Sequence, residues 1–309
     1  MDRVYREIPY NYNKIEKNVV TDRNEIVKEI ILANRCYWYD TCAFRNHMNL
    51  SCGQLIAQYI KETSGIVVIT RTILMELCSA DGNLWEEHIA YIEYMASKGI
   101  KILLICEEDL FDVLYTYSSD IIEINQWLAR AVKCAKSKVG KIENVVKNDK
   151  ALYKALFETK PYKDKELASK LFSKVRAVKT SGDNMGEELI GVCVHWLSRI
   201  RNLQEHKHIV LTDDKKSIAM LGKVMTNVRE YYEANSIALC TTAKLCYLMV
   251  QKGTITTENE GSQVLEGIVE NSNLKVYCSG EYELQPTDRT FEAEEFLKAV
   301  LNKKIKVYY

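Results

Sequence analysis

Six acidic side chains stand where a strand-and-helix chain could gather them. Asp40 closes the aromatic segment Cys36-Tyr37-Trp38-Tyr39-Asp40, and Asp213 and Asp214 close His208-Ile209-Val210-Leu211-Thr212-Asp213-Asp214. Glu76 follows the β-branched run Ile66-Val67-Val68-Ile69-Thr70 by about one helical turn. Asp183 and Glu187 open the stretch Asp183-Asn184-Met185-Gly186-Glu187-Glu188-Leu189-Ile190. Carboxylates crowded into one cleft repel and raise one another's pKa. A hard divalent ion that keeps several waters, Mg²⁺ or Mn²⁺, is bound by oxygen donors of this kind.

Each acid also has a plainer reading. Asp183 before a helix could simply accept backbone N–H bonds as an N-cap, and Asp213 or Asp214 could do the same for the next helix. Glu76 taken alone reads as a solvated helix residue, and Asp40 alone as a turn residue. Their common placement gives them weight: open α/β sheets bind ligands beyond the carboxyl ends of their strands, where the strand order reverses.

The elements that would position them alternate. Cys36–Asp40, residues 65–70, Lys101–Cys106, residues 208–214 and Ser236–Cys240 read as short apolar strands. Helical segments at Gln54–Glu62, Thr72–Ala80 and Leu84–Ser97 fall between them, with Gly99 as a C-terminal stop. From Asp120, with Glu123 three residues on, a helix is predicted to run well past Lys136. This order predicts an α/β fold, a three-layer α/β/α sandwich around a mainly parallel sheet of about five strands. Residues 1–33 read as an N-terminal arm ending in a helix near Glu25–Ala33. Residues 34–255 read as the main domain, with a helical insertion at about 120–180. Residues 256–309 read as an extension packed on it, with a strand at Leu274–Cys278 and a last helix at Phe291–Asn302.

Composition bounds the function. The 309 residues are 47% hydrophobic and 27% charged, which excludes disordered and collagen-like chains. With 42 basic and 42 acidic side chains the net charge is zero, so any affinity for a polyanion must be local. No apolar run nears the roughly 18 residues of a membrane span, and the first residues lack a signal-peptide core. Ten cysteines without a C-x-x-C pair predict a reduced, cytoplasmic protein, with thiols such as Cys106 buried as small hydrophobes. His206-x-His208 is a weak metal signal expected at the surface, and His195 on an apolar helix reads as core rather than as a base.

One segment departs from neutrality. Ala129–Thr180 holds 15 Lys and Arg against 5 Asp and Glu, a balance of +10. Val132, Ala135, Val139, Ile142 and Val146 would form the apolar seam of one helix, and Leu167, Leu171, Val175 and Val178 that of a second. Lys133, Lys136, Lys141 and Lys147 would then face outward, as a solvated surface or as contacts to a phosphate backbone.

Taken together, Asp40-Thr41-Cys42-Ala43, Glu76, Gly186-Glu187-Glu188-Leu189-Ile190 and Ile209-Val210-Leu211-Thr212-Asp213-Asp214 resemble the PIN-domain nucleases. Ile237–Met249 is similar to that family's last strand and helix. The resemblance spans roughly residues 36–106 and 181–255. It implies a PIN-like fold and a metal-dependent endoribonuclease acting on RNA with Mg²⁺ or Mn²⁺. It further implies that Asp40 and the last-strand acid hold the ion directly, while Glu76 and the Asp183/Glu187 position act through water. Thr212-x-Asp214 fits a common form of the last motif and favours Asp214 over Asp213. Glu187 fits a Gly-Glu variant, whereas Asp183 fits a plain Asp before the helix. A regulatory protein partner and a homodimer are both compatible with this reading.

Other classes fit less well. An aspartyl-nucleophile phosphatase needs an acid/base group two residues after the first-strand Asp, where this chain has Cys42. No G-x-G-x-x-G or G-x-x-x-x-G-K-[ST] run supports a nucleotide-binding fold. The serious alternative is a catalytically inactive RNA-binding or protein-interaction module on the same scaffold. A degenerate module would usually have lost a carboxylate, and here all four positions can be filled.

Overall fold

The computed structural model describes residues 5–135, 140–158, 163–180, 182–200, 203–269 and 273–309. The chain enters through helix α1 (Arg23–Leu32) and crosses the core as β1 (Arg35–Tyr39), whose last four residues are buried. A buried parallel strand reads as an unbroken apolar run. β1, with Trp38 and Tyr39 fully enclosed, fits that description. Asp40 ends the strand and at once caps α2 (Thr41–His47), accepting the amide of Thr41.

α3 (Leu50–Glu62) leads to β2 (Gly65–Thr70), buried throughout, and Thr70 caps α4 (Arg71–Leu77) through its hydroxyl. α5 (Glu86–Ser97) stops at Gly99 in the left-handed region (φ 79°), and β3 (Ile102–Ile105) follows. Each of these strands turns directly into a capped helix or a tight turn, so polar caps line the carboxyl rim of the sheet.

After α6 (Leu110–Tyr115), the insertion comprises α7 (Ile121–Cys134), α8 (Lys141–Asn148), α9 (Lys150–Tyr153) and α10 (Leu167–Ala177). The helix expected to run from Asp120 well past Lys136 is instead two. α7 ends at Cys134, and α8 starts afresh from Gly140. Asp120 caps α7 as expected, but the Glu123 side chain accepts from Ser118 rather than closing a capping box. The described residues of the first seam, Val132, Ala135, Ile142 and Val146, are still buried, as are Leu167, Leu171 and Val175 of the second. Val178, expected to complete that second seam, instead lies just past the end of α10 and is exposed. Val139 lies outside the described residues.

α11 (Met185–Leu197) then packs on α7, α12 and α4. β4 (His208–Leu211), α12 (Lys215–Tyr232), β5 (Ile237–Cys240) and α13 (Thr242–Lys252) complete the main unit. The five strands form one all-parallel sheet in the order β3-β2-β1-β4-β5, flanked by helices as a three-layer α/β/α sandwich. The fold class read from the sequence is the one observed.

The C-terminal part differs from expectation. α14 (Glu258–Leu265) packs on α3, and a second sheet forms from β6 (Asn273–Gly280) and β7 (Thr287–Glu292). α15 (Ala293–Leu301) and β8 (Ile305–Val307) follow, giving an antiparallel order β7-β6-β8. Phe291 belongs to β7 and not to the last helix. Only part of β6 was legible beforehand, because β7 (Thr-Asp-Arg-Thr-Phe-Glu) is largely polar and β8 has three residues.

Two smaller expectations are also corrected. His208 is wholly buried in β4 and takes the indole N–H of Trp38 at 3.3 Å, so it is a core residue and not a surface one. Cys106 is only half-buried, its sulfur accepting from Arg71 at 3.5 Å. Among the described residues no helix is long and apolar enough to cross a membrane.

Candidate functional site

The chain moves outward from β1 through β2 to β3, then returns to lay β4 on the other side of β1. Strand order therefore reverses between β1 and β4, where Tyr39 pairs with Leu211 and the Asp40 amide donates to the Leu211 carbonyl at 3.0 Å. The next residues on each strand, Asp40 and Thr212-Asp213-Asp214, meet at that crevice.

Asp40 is 1% exposed. Its Oδ1 accepts the Thr41 amide at 2.6 Å, and its Oδ2 accepts the Thr212 hydroxyl at 2.7 Å and the Cys42 thiol at 2.9 Å. All three donors are neutral. Burial, reinforced by the charge of Glu76 and only partly offset by these hydrogen bonds, pushes the Asp40 carboxyl up to about 6.

Glu76 reaches the same place from α4. Its Oε2 accepts the Thr41 hydroxyl at 2.5 Å, and its Oε1 lies 2.9 Å from the ammonium of Lys179. Gly186 at the start of α11 makes room for this carboxylate, because a Cβ there would stand 2.7 Å from Oε1. One residue on, Glu187 brings a further carboxylate. Burial first, then the charges of Asp40, Glu76 and Asp214, push it up to about 8. Its Oε2 is buried with no hydrogen-bond partner among the described residues.

Of the two sequence candidates on this segment, Glu187 is therefore the one that faces Asp40 and Glu76. Asp183 is engaged elsewhere. It pairs with Lys179, accepts the Thr180 amide and hydroxyl at 2.7 and 3.0 Å, and accepts the Met185 amide at 3.3 Å. Burial opposes its charge, but Lys179 and these donors outweigh burial and hold it below the usual carboxylate range.

The acids after β4 divide in a similar way. Asp213 accepts the Thr242 amide at 2.7 Å, the Thr242 hydroxyl at 2.6 Å and the Asn46 amide nitrogen at 2.9 Å, tying α13 and α2 to the strand end. Asp214 caps α12 through Ser217 N and Oγ at 3.0 and 2.7 Å, while its charge acts on Glu187. Asp214 thus combines the capping role with proximity to the site.

The sequence lysines lie on the insertion. Lys133 sits 4.8 Å over the Phe157 ring, Lys147 pairs with Glu143 at 2.7 Å, and Lys141 donates to the Thr180 hydroxyl at 3.1 Å. Lys136 lies outside the described residues. The insertion's charge is also partly spent internally, since buried Arg176 is bound by Glu7, Glu107 and Glu108.

Three residues of the site escaped the sequence reading: Thr41, Thr212 and Lys179. The hydroxyls sit directly beside recognised acids and could have been found from that adjacency. Lys179 could not, being one of many lysines in its segment.

The donors are all hard oxygens, and one buried carboxylate oxygen is unpartnered, which fits a divalent cation. Among the described residues no three such side chains are drawn around one point. Like charges without a counterion hold apart, and a hard ion that keeps its waters can bridge such spacing. Comparison with protein-family models, with curated proteins and with solved structures finds no match for this chain.

Proposed function

We propose that the chain is a metal-dependent endoribonuclease of PIN-like type, cutting RNA phosphodiester bonds at the crevice between β1 and β4. The observation that carries this reading is Glu187. A carboxylate with an unpartnered buried oxygen, crowded by Asp40, Glu76 and Asp214, is an electrostatic debt that a cation at the strand reversal would settle. The order of acids along the chain, which resembles that nuclease family, supports the same conclusion.

Asp40, Glu187 and Asp214 would hold the ion, directly or through water, with Glu76 at its flank. The chemistry supplied by bound Mg²⁺ or Mn²⁺ is Lewis-acid activation of water and relief of charge on the phosphate. The protein's own part is orientation. Thr41 and Thr212 fix the carboxylates of Glu76 and Asp40, and Gly186 lets Glu76 approach α11. Glu187 would be held in its ionised form beside a bound cation, because opposite charge favours that form.

A second reading, a catalytically inactive RNA-binding or protein-interaction module, draws on the Lys179–Glu76 pair, which neutralises one acid without any ion. Incubation of purified protein with single-stranded and structured RNA in Mn²⁺, Mg²⁺ or EDTA separates the two. The nuclease reading expects internal cleavage that EDTA abolishes and Asp40→Asn loses. Binding without cleavage in every metal would favour the module.

A further inference from the structure

Among the described residues of the insertion, Lys179 brings its ammonium into the crevice itself. It lies two residues beyond α10, on the return path to α11. Its side chain is 3% exposed, its ammonium is 2.9 Å from Glu76 Oε1 and paired with Asp183, and it stands 5.1 Å over the Tyr5 ring. A lysine in such a position is neither a solvated face residue nor a free phosphate contact.

Glu76 is enclosed as a result. Thr41 takes one oxygen, Lys179 the other, and α11 comes so close at Gly186 that a Cβ there would stand 2.7 and 2.9 Å from the two oxygens and 2.8 Å from Ile73. The other half of the crevice is different. Asp40 has neutral donors only, and Glu187 has a buried oxygen with no hydrogen-bond partner among the described residues. Among the described residues, Glu76 has an ammonium partner while neither Asp40 nor Glu187 forms an ion pair.

We propose that Lys179 is a positioning residue that takes the place a second divalent ion would fill beside Glu76, so that the site admits a single ion, next to Asp40 and Glu187. This rests on the metal-dependent reading above. Like charges close together repel, so an ion bound beside Glu76 must displace the ammonium, whereas one bound beside Asp40 and Glu187 meets no cationic side chain among the described residues. The basic insertion thereby reaches the catalytic crevice through one residue rather than only through its outer face.

The test is a count of bound Mn²⁺ on the metal-stripped full chain without RNA, by electron paramagnetic resonance of the free ion. Wild type and Lys179→Arg are expected to bind one ion. Lys179→Gln is expected to bind two, with the first held tighter by roughly tenfold, the scale of a unit charge acting on a divalent ion about 6 Å away through water-like dielectric. A purely structural lysine would alter the melting curve and leave the count at one. Two ions on wild type would overturn the inference without any variant. One ion of unchanged affinity on folded Lys179→Gln would overturn it too, while leaving the nuclease reading intact. No Mn²⁺ on any of these proteins would remove both. Asp40→Asn, expected to bind at least tenfold more weakly, locates the ion.

Discussion

Glu76 Oε1 occupies the space where a side chain on residue 186 would begin: a Cβ on Gly186 would lie 2.7 Å from that oxygen and 2.9 Å from its twin. The glycine is helical and has no positive φ, so it is there for closeness and not for backbone freedom.

Gly186→Ala should therefore separate function from stability. Alanine gains about 1 kcal/mol of helix propensity, and the clash costs about 1–3 kcal/mol if nothing moves. The atoms it meets are the ends of the Glu76 and Ile73 side chains, which can swing away. We expect a change in unfolding free energy below about 1 kcal/mol as these terms offset. RNA cleavage should fall by tenfold or more on a scale of roughly 1.4 kcal/mol per decade. Urea titration beside a cleavage assay checks this, and full activity would show that Glu76 is not needed where it stands.

The neighbours Asp213 and Asp214 should respond differently to loss of charge. Asp213→Asn weakens three hydrogen bonds that join α13 and α2 to the strand end. Hydrogen bonds to charged groups are worth about 1.5–3 kcal/mol each, so a loss of that order in stability is expected, with the folded fraction still active. Asp214→Asn should instead weaken Mn²⁺ binding. Equal effects of both substitutions on metal affinity would contradict the division.

The pH dependence has a narrow clean window. His47, His88 and His195 are pushed down to about 4, and His208 to about 3, by burial. A depressed histidine contributes stability above its unfolded pKa of about 6.5 and loses it as pH falls. Glu187 works in the opposite sense. Its folded value of about 8 lies above the ordinary 4.5, so its stabilising protonated form is lost as pH rises to 8. From about pH 7.5 to 8.5 the histidines are neutral in the folded and unfolded chain alike, and Asp40, at about 6, has ionised. Metal-free stability should fall across that window, and the fall should shrink in Glu187→Gln. Urea midpoints in EDTA at about pH 7.5 and 8.5 give the answer, and equal slopes would mean that Glu187 ionises normally.

Bound ion should reverse that trend. An ion that binds only the native state adds about 2.7 kcal/mol at a hundredfold excess over Kd. The melting temperature should rise with Mn²⁺, more at pH 8 than at pH 6.5, because the proton on Glu187 competes with the ion. A rise independent of pH would place the ion away from Glu187.

The lysines of the insertion should govern salt dependence. Lys133, Lys136, Lys141 and Lys147 replaced together by Gln should flatten the slope of log K against log salt by roughly 1 to 3 units, at about 0.7 per phosphate of a single strand. Fluorescent RNA titrated into an Asp40→Asn background measures the slope without cleavage. An unchanged slope would remove these lysines from RNA contact.

The alternation of apolar runs and helical stretches was enough to read the parallel sandwich, because strand and helix periods are local properties. The position of Asp40, Glu76, Asp213 and Asp214 just past strand ends was equally local. What needed the fold was which acids look at one another. Asp183 and Glu187 are four residues apart on one segment, yet only Glu187 turns its charge toward Asp40, and Asp183 is neutralised by Lys179. Asp213 and Asp214 are adjacent, and Thr242, twenty-nine positions from Asp213, claims the first. The start of α8, whose Lys141 and Ile142 amides donate to Glu188, and the polar strand β7, which pairs with β6, likewise depend on partners elsewhere in the chain. Short-range periodicity fixes where a side chain leaves the backbone. Which charge it meets depends on contacts such as Lys179 with Glu76, 103 residues away in sequence, because burial makes an unpaired charge costly wherever its partner lies along the chain.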